Sequence, residues 1–168
     1  FSVLNHKEAC TLAAENNINV TLHADWEVPE GIKEVVLDSK AKRVGHGSQI
    51  INDISFEKGS ITFNNDAAKY VFDNKIALEI CPTSNVQCGA YSNVSEHSFG
   101  ELYKAGFNVT INTDNRLMSD ITMSEEVNNV VESFGLVEKD ILSITKNTIK
   151  AGFVESRLRT GLLEKLAN

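Results

Sequence analysis

The sequence predicts an α/β protein built on a parallel sheet, and three observations predict it. Short β-branched runs alternate with amphipathic helical stretches, the rhythm of strand-then-helix units. Polar residues able to do metal or acid–base chemistry come directly after each of four such runs. A length of 168 residues, 42% of them apolar and 23% charged, suffices for one core-bearing domain and is too short for two comfortable ones.

Taken in order, a helical pattern over residues 5–16 precedes the first predicted strand, 18–22. Pro29 pre-sets the first turn of a helix carrying Ile32, Val35 and Val36 on one face. A second strand is predicted at 42–44, a helix at 66–74, and a third strand at 76–80. The helix predicted at 96–105 ends on Gly106, a residue suited to the left-handed C-terminal cap, and the fourth strand follows at 107–112. Thr122 and Glu125 have capping-box spacing at the head of a helix that runs to Phe134 and stops at Gly135. Two further helices fill residues 137–167, and no short repeat or low-complexity tract interrupts the chain.

Parallel strands are buried on both faces, so four of them with helices on one side predict a wide apolar surface left uncovered. Half of a closed eight-stranded βα barrel and an open doubly wound sheet both meet this pattern. No Gly-x-Gly-x-x-Gly or Walker-type loop follows any strand, so the nucleotide-phosphate form of the open sheet lacks support.

Composition narrows the function. Sixteen Lys and Arg against 23 Asp and Glu give a net charge of −7, which repels phosphate backbones and anionic lipid. Nucleic acid and membrane are therefore not expected partners, and the first residues lack a signal-peptide pattern. Cys10, Cys81 and Cys88 are odd in number and form no Cys-x-x-Cys pair, which favours a reducing, cytoplasmic setting over a disulfide framework. A zinc deaminase of the His-x-Glu and Pro-Cys-x-x-Cys type is disfavoured, since neither motif occurs.

The segments Thr-Leu-His-Ala with a following Glu, Arg-Val-Gly-His-Gly, Cys-Pro-Thr-Ser-Asn and Asn-Thr-Asp-Asn-Arg-Leu-Met-Ser lie at four successive strand ends. In that order and spacing they resemble the motifs of the adenosine deaminase family of metal-dependent hydrolases. The resemblance implies the C-terminal half of a (β/α)8 TIM barrel, its last four βα units followed by extra C-terminal helices, with residues 1–168 forming a single partial domain. The family's first-strand His-x-His pair and its glycine region near the fourth strand have no counterpart here.

Carried over position by position, the resemblance implies His23 and Asp114 as zinc ligands. His46 would stand beside the zinc-bound water, orienting it and accepting its proton or stabilising its charge. Glu27 would donate a proton to the purine ring, and Asn115 would face the imidazole side of the base. The family pattern places Glu three positions after His, where this chain has Trp26. Either a one-residue insertion leaves Glu27 in the pocket, or Trp26 occupies the acid's place. The implied activity is zinc-dependent deamination of adenosine or a related purine nucleoside by the complete barrel. The isolated chain would be inactive, pairing with an N-terminal half or with itself; a different amino-purine substrate and a non-catalytic half-barrel are the alternatives. Cys81 and Ser84 read as a structural thiol and a turn hydroxyl, His6 and His97 as surface residues, and Glu125 and Glu126 as part of a solvated helix face.

Overall fold

A computed structural model describes residues 2–24, 31–57 and 60–167. Helix α1 (Lys7–Glu15) leads into strand β1 (Thr21–Ala24). Helix α2 (Gly31–Lys33) widens without a break into a π-helical turn, Glu34–Asp38, which buries Val35 and Val36. Strand β2 (Arg43–His46) follows, then an antiparallel hairpin of β3 (Ile54–Glu57) and β4 (Ser60–Phe63). Beyond it come α3 (Asp66–Asp73), β5 (Ala77–Ile80), α4 (Pro82–Gln87), α5 (Phe99–Ala105), β6 (Val109–Ile111) and α6 (Arg116–Ser119). The chain closes with α7 (Met123–Phe134), α8 (Glu138–Ala151) and α9 (Ser156–Lys165).

Strands β1, β2, β5 and β6 form one sheet in that spatial order, every pair parallel. Each therefore returns through a helical crossover, as the alternating pattern requires. Side chains alternate across a strand. Ala24, Val44, Leu78, Ile80, Val109 and Ile111 face the helices and join Val35, Val36, Val71, Phe99 and Leu102 in one core. Gly45 lets β1 and β2 approach closely, since a Cβ there would lie 3.2 Å from the His23 Cα.

The opposite face of the sheet departs from expectation. It carries Thr21, His23, Arg43, Gly45 and Glu79, and none of the large exposed hydrophobic side chains lies on the four strands. Arg43 Nε is 2.9 Å from Glu79 Oε1, and Thr21 Oγ1 donates to Glu79 Oε2 at 2.6 Å. The predicted apolar expanse is instead a polar layer, because alternate strand positions hold charged and hydroxyl side chains that pair across neighbouring strands.

Three further differences have local causes. Strands β1 and β2 run past their predicted ends, so His23 and His46 belong to them and do not follow them. The hairpin was not expected, although Lys58-Gly59 between two alternating runs is a turn signal. Helix α5 begins at Phe99 and not at Glu96, since the His97 ring accepts from the Phe99 amide and takes the place of an N-terminal cap. Gly106 does close α5 in the left-handed region, and Thr122 with Glu125 forms the capping box of α7.

Candidate active site

The carboxyl ends of β1, β2 and β6 bring three sequence-predicted side chains together. The His23 and His46 rings meet edge to face, with centroids 4.8 Å apart. His46 Nε2 lies 3.7 Å from Asp114 Oδ2. His46 side-chain exposure is 13% and that of Asp114 is 43%, so the cluster opens to solvent through the aspartate.

Backbone geometry sets this arrangement. His46 and Asp114 both lie in the left-handed region, at φ 58° and 56°. Such a conformation in a non-glycine residue costs on the order of 1 kcal/mol and persists only where the surroundings impose it. At β2 they do: the next residue, Gly47, is also left-handed, and its amide donates to the Ala24 carbonyl at 2.8 Å. A Cβ at Gly47 would come within 2.9 Å of Leu78 Cδ2, and with φ at 70° any larger residue in the turn is strained. Past β6, the Asn112 amide donates to the Ile80 carbonyl and fixes the run into Asp114.

Helix α4 supports the cluster from below. Ser84 Oγ donates to Asp114 Oδ2 at 2.7 Å, and Asn85 Nδ2 lies 3.3 Å from His46 Nδ1. Asn85 Oδ1 in turn lies 3.1 Å from Nε2 of His97, whose Nδ1 accepts from the Phe99 amide at 2.9 Å. His97 is therefore buried, 3% exposed, and is no surface residue. Burial first, and His46 second, push its pKa down to about 4. Ser84 is likewise more than a turn hydroxyl.

Glu126 is fully buried, which overturns its reading as a solvated residue: Oε1 accepts from the Thr83 amide at the head of α4. Glu125, its neighbour, is exposed as expected. Burial, reinforced by Asp114, Glu126 and Glu79, drives the Cys81 thiol far above its ordinary range, which disfavours the thiolate.

Asn115 caps α6, its Oδ1 accepting from the Leu117 and Met118 amides. That leaves the amide nitrogen as the group able to donate outward. Glu27, with Trp26, lies outside the described residues. Asn85, His97 and Glu126 escaped the sequence reading because their roles arise from burial and from pairing across elements. The Cys-Pro-Thr-Ser-Asn segment was the one available signal, and it named Asn85 without a task.

Imidazole and carboxylate groups suit zinc, and catalytic zinc takes three protein ligands and leaves a place for water. His23 and Asp114, the ligands the resemblance implies, are donors of the right chemistry for part of that set. Among the described residues no group of three or more His, Cys, Asp or Glu converges closely enough to complete it.

A parallel βα half-barrel with imidazoles and a carboxylate at its carboxyl rim has the layout of a barrel hydrolase. The chain belongs to the adenosine deaminase family, whose profile, described as "Adenosine deaminase", matches residues 2–168. An adenosine deaminase of Mycobacterium sp. (strain JLS) is 38% identical over 161 residues, covering 95% of this chain and 44% of the relative. The chain thus spans less than half the length of the curated relatives it matches. Two solved structures share the fold. An adenine deaminase from Arthrobacter aurescens superposes with a TM-score of 0.83 at 21% identity, covering 96% of this chain and 46% of its own. A zinc-bound amidohydrolase from a Burkholderia species gives 0.79 at 19% identity, covering 96% and 43%.

Proposed function

We propose that this chain supplies the catalytic rim of a zinc-dependent enzyme that hydrolyses the exocyclic C–N bond of adenosine, giving inosine and ammonia. The observation that carries the reading is the meeting of His23, His46 and Asp114 at the ends of β1, β2 and β6, in a chain of this family. His23 and Asp114 would hold zinc together with ligands from outside the described residues. Zinc, when bound, brings a water's pKa from 15.7 to about 7 and so supplies hydroxide at neutral pH. His46 and Asp114 orient the attacking oxygen, Glu27 donates the proton to the purine ring nitrogen, and Asn115 donates its amide N–H to the imidazole side of the base.

Purified at its native length with zinc, the protein is expected to release inosine from adenosine. Consumption of adenine or a modified nucleoside in place of adenosine would transfer the reading to another amino-purine. No turnover of any of them by a folded, zinc-loaded sample overturns it. A second reading, a non-catalytic half-barrel, draws on the incomplete donor set among the described residues. On either reading the isolated 168-residue chain is expected to bind zinc weakly and to have little activity, because two ligands hold the ion less securely than three. Strands β1 and β6 lie at the edges of the sheet, so that chain is also expected to associate with itself or with an N-terminal half, as light scattering would show.

A further inference from the structure

We propose that Asn85 and His97 are positioning residues that hold the His46 imidazole with its proton on Nε2, turning an N–H toward Asp114. The proposal rests on the reading of this rim as the active site.

The polarity of the hydrogen-bond chain follows from its far end. The Phe99 amide can only donate, so the His97 Nδ1 it reaches at 2.9 Å must accept. A neutral imidazole that accepts at Nδ1 carries its proton on Nε2. Neutrality suits a ring that is 3% exposed, with the Tyr91 ring 4.1 Å away between centroids. The His97 Nε2–H therefore donates to Asn85 Oδ1 across 3.1 Å. With its oxygen so placed, the Asn85 carboxamide presents N–H to His46 Nδ1 at 3.3 Å, and that nitrogen must accept. The His46 proton then resides on Nε2, which faces Asp114 Oδ2 across 3.7 Å.

That gap is too long for a direct hydrogen bond, and it places the N–H beside the carboxylate that Ser84 already steadies. Of the two roles open to His46, accepting a proton or stabilising charge, the chain selects the second. His46 enters the reaction as a hydrogen-bond donor to an oxygen that gains negative charge. The device is sheltered from solvent: Asn85 is 2% exposed, so water does not compete for the carboxamide that holds the His46 ring.

Asn85→Asp tests this at almost constant shape. A carboxylate at position 85 can accept from His97 and from His46 but cannot donate, so it draws the His46 proton to Nδ1. Nitrogen-15 imidazole spectra of the native-length protein are expected to show the Nε2–H form of His46 in the wild type and the Nδ1–H form in Asn85→Asp. With that reversal kcat is expected to fall about 10²-fold while KM stays within about threefold, since a wrong tautomer impairs the chemical step more than binding. A wild-type spectrum already showing Nδ1–H, or the same pattern in both proteins, overturns the proposal. Should Asn85→Asp fail to fold, His97→Phe and His97→Gln decide. Phe removes the donor to Asn85 and is expected to lower kcat about tenfold, Gln to restore most of it, and an equal loss in both overturns the proposal. A reversed tautomer with undiminished deamination would leave the positioning intact and defeat the reading of the rim as the catalytic site.

Discussion

The rim of the sheet and the layer below it are both polar, yet they are built under opposite rules. Below, Glu79 sits in regular strand backbone, accepts from Thr21 and forms an ion pair with Arg43. At the rim, His46 and Asp114 lie in left-handed backbone and stand 3.7 Å apart, too far to satisfy each other. A close ion pair in relaxed backbone serves the fold. Strained, half-open groups cost stability and signal chemistry. Changes at the rim should thus act on turnover, and changes beneath it on stability.

Asp114→Asn gives the largest expected separation of the two. Asn tolerates the left-handed backbone and still accepts from Ser84, yet loses the charge. Deamination by the native-length protein is expected to fall about 10³-fold and zinc affinity to drop, with stability changed by less than about 0.5 kcal/mol. A comparable loss of stability would break the contrast. Glu126→Ala should do the reverse, costing about 3 kcal/mol in urea unfolding, because it opens a cavity and strands the Thr83 amide.

The next test uses pH. The folded His97 pKa lies near 4 against an ordinary 6.5, so the unfolded chain takes up the proton first as the solution is acidified. Its stabilisation is complete above about pH 6.5 and lost progressively toward pH 4, up to about 3 kcal/mol. Unfolding free energies measured over that window should fall in the wild type and run flatter in His97→Gln; parallel curves would remove His97 as the cause.

The smallest effect is expected from the double change Arg43→Met with Glu79→Leu. Arg43 and Glu79 are half-buried, and replacing both partners of such a pair by apolar residues is often near neutral, so stability should move by about 1 kcal/mol and turnover by less than about threefold. A large loss of turnover would mean that the lower layer belongs to the site.

These contrasts also mark what could be read before any coordinates. Order, parallelism and most helices followed from local signals: the alternation of runs, Gly106 as a cap, the Thr122–Glu125 box. His23, His46 and Asp114 were legible because each sits at a strand end, and strand ends converge in a parallel sheet. His97 and Glu126 were misread as solvated because their burial comes from elements remote in sequence. The polar inner face was legible only in part: Glu79 inside a strand reads as a carboxylate a barrel interior could hold paired, as it is with Arg43, while the general rule for parallel sheets hid the extent of the polar layer.

That inner face constrains anything that closes over it. A surface bearing guanidinium, carboxylate and hydroxyl groups offers little oily area to drive docking, so a covering polypeptide must answer ion with ion and hydroxyl with hydroxyl. Reassembly of a barrel from separately made halves would then weaken as ionic strength rises, the opposite of a seam held by greasy contact.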